Sequence, residues 1–250
     1  MRPPDGRPVT LAIDVGGSGI KAALIGPQYQ LVGKPLRVET PDDLTPRRLL
    51  DVLVALAVDP GDYDRVSVGI NGLVHRGRIF AIPVTSNPDF RGFDLAESLC
   101  NRLGRPVRIL NDAQMHGLGF VRGRGVEVVL TLGTGLGTAL FIDGTLGPQL
   151  QLLPAAGREG RKGGDYGDRA IEELGRKKWR RRVGRLIELL RQLTNFHHLY
   201  IGGGNAEVLK LDLPPDVTIG DNSAALGGAV RMWEWDLEPV RASRRATPRA

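Results

Sequence analysis

Short apolar runs broken by glycine-rich turns dominate the chain, and their spacing predicts an α/β protein. Val9 to Val15 is one such run, ending in Asp14-Val15-Gly16-Gly17-Ser18-Gly19, and Ile20 to Ile25 resumes as a second. The pair reads as a β-hairpin with a glycine-rich turn. A return strand is predicted near Leu31 to Val38, and Thr45 to Val58 has helical spacing with Pro46 close to its start. Arg65 to Ile70 reads as a buried strand and Phe93 to Leu103 as a helix. Val107 to Leu110 is a further strand, which delivers Asn111 and Asp112 at its carboxyl end.

The pattern then begins again. Glu127 to Leu132 is an apolar strand running into Gly133-Thr134-Gly135-Leu136-Gly137, and Thr138 to Ile142 follows as its partner. Gly16 and Gly133, each the first glycine of a strand-turn-strand unit, lie 117 residues apart. This predicts a diverged internal duplication and two α/β halves meeting at a cleft. The first half spans residues 1–112 and the second 113–235, with its last helix free to return to the first half; residues 236–250 read as a basic, disordered tail. Gly144 to Gly167, rich in glycine, proline and charge, reads as a mobile loop. Ile171, Leu174, Trp179, Val183, Leu186, Ile187 and Leu190 suit a helix over Asp168 to Leu193, broken near Gly175. His198 to Ile201 is a strand closed by Gly202-Gly203-Gly204-Asn205, and a final helix runs from Asn222 through Ala229 to Trp233.

Composition narrows the classes. The chain has 250 residues, 41% hydrophobic and 25% charged, enough for one large domain or two small ones. Its single cysteine, Cys100, excludes an internal disulfide and a Cys-rich zinc site, and its helical context suits a small buried apolar residue. No stretch approaches the roughly 20 apolar residues of a membrane span, and the start lacks a signal-peptide run, so a cytoplasmic protein is expected. The net charge of +6 matters mainly through its location: seven cations and no acid lie between Arg176 and Arg185.

Glycines in the first loop let the backbone approach a phosphate, and a strand-end acid such as Asp14 can hold a magnesium ion through water beside it. An ordinary tight hairpin would read the same way. The loop lacks the Gly-Lys-Ser/Thr ending of a Walker loop, and a strand follows it where a dinucleotide fingerprint has a helix. The second loop adds the hydroxyls of Thr131, Thr134 and Thr138 to the same device, and two such loops together point to phosphate binding. Asp112, coming off a buried strand, can accept the proton of an attacking hydroxyl that Asn111 orients; a helix cap is the other reading of the same aspartate.

Four segments in this order resemble the ROK family (repressor, open reading frame, kinase), in the form of its polyphosphate glucokinase branch. They are Asp14-Val15-Gly16-Gly17-Ser18-Gly19-Ile20-Lys21, Asn111-Asp112-Ala113, Leu132-Gly133-Thr134-Gly135-Leu136-Gly137 and Ile201-Gly202-Gly203-Gly204-Asn205. The resemblance covers about residues 9 to 235. It implies an actin-like ATPase fold of the ribonuclease H-like class, in a kinase transferring a phosphoryl group from polyphosphate or ATP to a hexose hydroxyl. Asp112 would be the catalytic base, and Asn111 and Asn87 sugar ligands. Asp14, Gly16, Gly17, Ser18, Gly19, Lys21, Gly133, Thr134, Gly135 and Gly137 would hold donor phosphates, with Gly202, Gly203, Gly204 and Asn205 bordering the donor's nucleoside or distal phosphates. Magnesium without zinc, and a homodimer, are also implied. The basic stretch is similar to the Lys/Arg/Trp helix of polyphosphate-using members, with Arg176, Lys177, Lys178, Arg180, Arg181 and Arg182 as a phosphate track; a solvated helix face is the plain alternative.

The chain departs from the family pattern after the second loop. Members usually carry a Glu-x-x-His pair there, both contacting the sugar; here Gln151 and Pro154 occupy those positions. A neutral amide loses a charge-assisted contact of roughly 1 to 2 kcal/mol, and proline donates nothing. Asn71 stands where the family commonly has proline, and the four histidines show no metal-ligand spacing. The competing expectation is a sugar- or polyphosphate-sensing protein with weak or no turnover. Nucleic acid is not expected as a partner, because no helix-turn-helix precedes the kinase-like region.

Overall fold

A computed structural model describes residues 6–82, 85, 87–150 and 166–234. The chain runs through β1 (Thr10–Val15), β2 (Gly19–Ile25), β3 (Leu31–Glu39), helix α1 (Pro46–Val58) and β4 (Arg65–Ile70). An antiparallel excursion, β5 (Leu73–His75), β6 (Arg78–Ala81) and β7 (Phe93–Asp94), leads into α2 (Leu95–Leu103) and β8 (Val107–Asn111). Then come α3 (Asp112–Phe120), β9 (Val126–Leu132), β10 (Leu136–Ile142), β11 (Thr145–Leu146), α4 (Asp168–Thr194), β12 (His198–Gly202), β13 (Val217–Ile219) and α5 (Asn222–Arg231).

The duplication expected from the two glycine loops is present in the topology. One sheet is ordered β3-β2-β1-β4-β8 and the other β11-β10-β9-β12-β13. In each, a hairpin supplies an antiparallel pair and its first strand takes a parallel neighbour on the far side. A second parallel strand, β8 or β13, closes the row.

Each sheet has its own core. Leu49, Leu53 and Leu56 of α1, with Leu95, Leu99 and Cys100 of α2, bury against Leu11, Ile13, Val66 and Val68. Thr45 caps α1 by accepting from the Arg48 amide, and Pro46 occupies the first turn, where its missing N–H costs nothing. Helix α2 starts two residues later than its apolar spacing suggested. Phe93 pairs with Ile79 in the small sheet, and the Asp94 carboxylate caps the helix by accepting from the Glu97 amide. On the second sheet Trp179, Val183, Leu186, Ile187 and Leu190 of α4 meet Val128, Leu130, Leu199 and Ile201. The expected break in α4 falls at Gly175, with φ 72° and ψ 152°.

Helices α3 and α5 fill the space between the sheets, drawing Ala12, Ala23 and Ile25 from one and Val129, Ala139 and Phe141 from the other into a third core. They touch closely: a Cβ added at Gly228 would lie 1.8 Å from the Met115 carbonyl oxygen. The last helix ends at Arg231, short of Trp233, because Met232 to Glu234 turn to pin the chain to the first sheet. Trp233 Nε1 donates to Ser67 Oγ (2.7 Å), which donates to the Ala229 carbonyl (2.6 Å), and the Trp233 ring lies under the guanidinium groups of Arg108 and Arg65.

Candidate active site

The carboxyl ends of β4 and β8 and both glycine loops converge on one cleft of about 270 Å³. At its floor, Asn111 caps α3: its side-chain oxygen accepts from the Ala113 amide (3.0 Å), while Gln114 Oε1 accepts from the Asn111 amide (3.3 Å). The cap is therefore Asn111 and not Asp112, the helix's first residue. That shift frees the Asp112 carboxyl for the cleft, and its Oδ1 is shielded from water with no hydrogen-bond partner among the described residues.

Burial, and next the charge of Asp14, push the Asp112 carboxyl up from 3.8 to about 6; His116 and the backbone N–H groups at the helix start pull the other way. His116 Nε2 stands 3.9 Å from Asp14 Oδ2, and both side chains line the cleft.

The loops are built alike. Gly16 donates its N–H to the Gly19 carbonyl (3.0 Å), and Gly133 donates to that of Gly135 (3.1 Å). They meet across the cleft, Ser18 Oγ and Thr134 Oγ1 lying 3.2 Å apart. Among the described residues nothing would obstruct a side chain at Gly133 or Gly135. At Gly203 the requirement is steric: φ is 87°, and a Cβ would lie 2.3 Å from the Leu132 carbonyl oxygen. Asn205 Nδ2 donates to the Gly133 carbonyl (3.0 Å) and to Asp168 Oδ1 (2.7 Å), tying the second loop to the start of α4.

The ROK family model matches residues 10–148, more than half of the chain. The chain belongs to the ROK family. A polyphosphate glucokinase of Mycobacterium tuberculosis is 29% identical over 204 residues, 77% of this chain and 76% of that protein. Among solved structures, the inorganic polyphosphate/ATP-glucomannokinase of an Arthrobacter strain superposes with a TM-score of 0.76 at 24% identity, covering 91% of this chain and 99% of that one. A ROK glucokinase from Streptomyces griseus, solved with glucose and AMPPNP, gives 0.70 at 22% identity over 89% and 98%. The architecture is thus the actin-like ATPase fold.

Seen as a ROK site, the cleft gathers most of the residues singled out from sequence. Asp14, Gly16, Gly17, Ser18, Gly19 and Lys21 line one wall, and Gly133, Thr134, Gly135 and Gly137 the other. Asp112, Gly203, Gly204 and Asn205 complete it, while Gly202, the last residue of β12, is outside the lining. Asn111 is also set back: its side-chain N–H groups go to the Gly72 (3.1 Å) and Ile70 (3.4 Å) carbonyls. Asn87 caps a short turn by accepting from the Asp89 amide (2.9 Å) and is not in the lining. Gln151, Pro154 and most of the predicted mobile loop fall outside the described residues.

Of the basic helix α4 only Asp168 lines the cleft. The helix's core stripe leaves Lys177, Lys178, Arg181 and Arg185 exposed on the far face, whereas Arg180 is turned inward, its Nε donating to the Val208 carbonyl (2.9 Å). Arg176 is exposed and Arg182 is half-buried.

Four cleft residues escaped the sequence reading: Arg37, Asn71, His116 and Asp168. Asn71 had a usable signal, following the buried strand β4 as Asp112 follows β8, beside which it lies. His116 stands one helical turn after Asp112, a spacing that becomes informative once α3 is known to be a helix.

Proposed function

We propose that this chain is a kinase that moves a phosphoryl group from polyphosphate or ATP to a hexose hydroxyl. It is a phosphotransferase with an alcohol-type acceptor. The observation that carries this reading is the placement of a shielded carboxyl, raised to about 6, beneath two facing glycine loops. At neutral pH Asp112 is ionised and basic enough to take the hydroxyl proton as the oxygen attacks phosphorus. The new P–O bond forms on the sugar and the bond to the donor breaks, leaving ADP or a polyphosphate one unit shorter; Asp112 then returns its proton to water. The loops contribute backbone and hydroxyl dipoles where charge spreads over the phosphoryl oxygens.

Magnesium fits the residues present. Asp14 offers hard oxygen donors on the cleft wall, and no three His, Cys, Asp or Glu side chains gather among the described residues. Asp14 would therefore hold the ion through water while phosphates fill the remaining positions, and the ion's chemistry is charge neutralisation on the donor. Asn71, whose side chain has no hydrogen bond among the described residues, is positioned to orient the acceptor hydroxyl beside Asp112.

The exposed face of α4 supports polyphosphate as a donor. Lys177, the first cation of that face, lies nine residues past Asp168, which lines the cleft, with the break at Gly175 between them. A chain leaving the cleft can run along Lys177, Lys178, Arg181 and Arg185. One observation favours a second reading: Gln151 and Pro154 replace a charged sugar pair, as in a sensing protein that binds without turnover. A matrix of hexoses and amino sugars against polyphosphate and ATP separates the two. Sugar phosphate from any pairing supports the kinase, and ligand binding without product in every pairing supports the sensor.

A further inference from the structure

Strands β1, β2 and β3 place Asp14, Lys21 and Arg37 in one cross-strand row, Asp14 opposite Lys21 and Lys21 opposite Arg37. All three line the cleft. Like charges directly opposite each other weaken a sheet, so the Lys21–Arg37 pair is by itself unfavourable. Asp14 on the other side of Lys21 offsets only part of this: among the described residues neither cation makes a hydrogen bond or ion pair, and both are exposed.

Arg37 is also fitted to the first loop. A Cβ added at Gly19 would lie 3.0 Å from Arg37 Nε and 3.3 Å from Nη2, so the guanidinium lies against the loop's last glycine. The residue after that strand fastens the loop, because Thr40 Oγ1 donates to the Gly16 carbonyl (2.8 Å). The loop is tied to the end of the strand that carries Arg37, and the guanidinium lies alongside it.

We infer that Arg37 and Lys21 form a phosphate subsite on the first-loop wall, recognising a linear phosphoanhydride chain and tightening the binding of polyphosphate and nucleoside triphosphates alike. The guanidinium supplies a two-pronged donor to phosphate oxygens and the ammonium a point charge beside it. This deepens the proposed kinase reading and rests on it for the identity of the donor, but binding alone can test it.

Binding of tripolyphosphate and of ATP with magnesium is measured by calorimetry over a range of salt for the unaltered protein, Arg37→Gln, Arg37→Lys and Lys34→Gln. Lys34 is exposed on the same strand outside the cleft lining, so it matches the charge change without touching the subsite. Loss of a charge-assisted contact predicts about tenfold weaker binding in Arg37→Gln, partial recovery in Arg37→Lys and no specific change in Lys34→Gln. Weakening of both ligands supports a subsite for phosphates that the two share, and weakening of only one of them overturns the shared recognition. Equal effects of Arg37→Gln and Lys34→Gln, or tight binding of both ligands by Arg37→Gln, overturn the subsite and leave the kinase reading standing. If Arg37→Gln loses binding while the unaltered protein phosphorylates no sugar, the subsite stands and the kinase reading falls. No tripolyphosphate binding by the unaltered protein overturns both.

Discussion

Replacing Asp112 by asparagine should make the protein more stable while removing its turnover. The carboxyl is held at about 6 against an ordinary 3.8, chiefly by burial and then by Asp14. Because the folded-state value is raised, the folded protein binds the proton more tightly than the unfolded chain. Stability therefore falls as pH rises from about 4 to about 6, and the cost is fully present above that window. At about 1.4 kcal/mol per pH unit, the difference between those two values amounts to about 3 kcal/mol at pH 7. An amide keeps the shape and discards the charge, but must place two N–H groups where Oδ1 has no partner, so a net gain of about 1 to 3 kcal/mol is expected. For a chain of this size that corresponds to a melting temperature higher by roughly 2 to 10 °C. Urea unfolding of both proteins at pH 7 and pH 4 measures it, and the gap should close at the lower pH. Turnover should meanwhile fall at least about 100-fold. A variant no more stable than the unaltered protein at pH 7, or a gap independent of pH, would refute the reasoning about the carboxyl. Near-normal turnover would refute its role as base.

The same ionisation sets the pH dependence of activity: kcat/KM should fall about tenfold per unit below pH 6 and be level above it, and a profile flat down to pH 5 would contradict a base with this value. Changing Lys178, Arg181 and Arg185 together to glutamine should raise KM for long polyphosphate about tenfold or more and flatten its salt dependence, with KM for ATP little changed. Equal losses with both donors would mean that the far face of α4 does not touch the chain. Gly203→Ala forces a side chain onto the Leu132 carbonyl at positive φ, and should cost about 2 kcal/mol or more in denaturant unfolding and weaken donor binding.

The long strands of the two sheets and both glycine loops were legible because buried apolar runs break at turn residues, a signal that needs no tertiary information; the short strands β5, β6, β7, β11 and β13 carry too few residues to show a pattern. Asp112 was legible for the same reason, following directly on β8. Helix α3 was not: Ala113, Gln114, Met115, Gly117, Leu118 and Phe120 are all buried, so a helix enclosed from several sides carries no apolar stripe. That loss hid both the cap at Asn111 and the position of His116. Arg37 was out of reach because its place beside Lys21 comes from the β2–β3 register, which contains an irregularity between Ala22 and Leu24. The basic run was legible as a cluster, but which cations are exposed follows from the stripe set by Trp179, Val183 and Leu186. Arg180, counted from sequence as part of the track, is held by the Val208 carbonyl.

The most direct test of the central claim is phosphorus NMR of the protein with magnesium, polyphosphate or ATP, and each of a panel of hexoses and amino sugars. The account predicts a new phosphomonoester signal on at least one sugar, growing in step with loss of donor terminal phosphate and absent with Asp112→Asn. Donor consumed only to inorganic phosphate, or unchanged with every sugar, would contradict it.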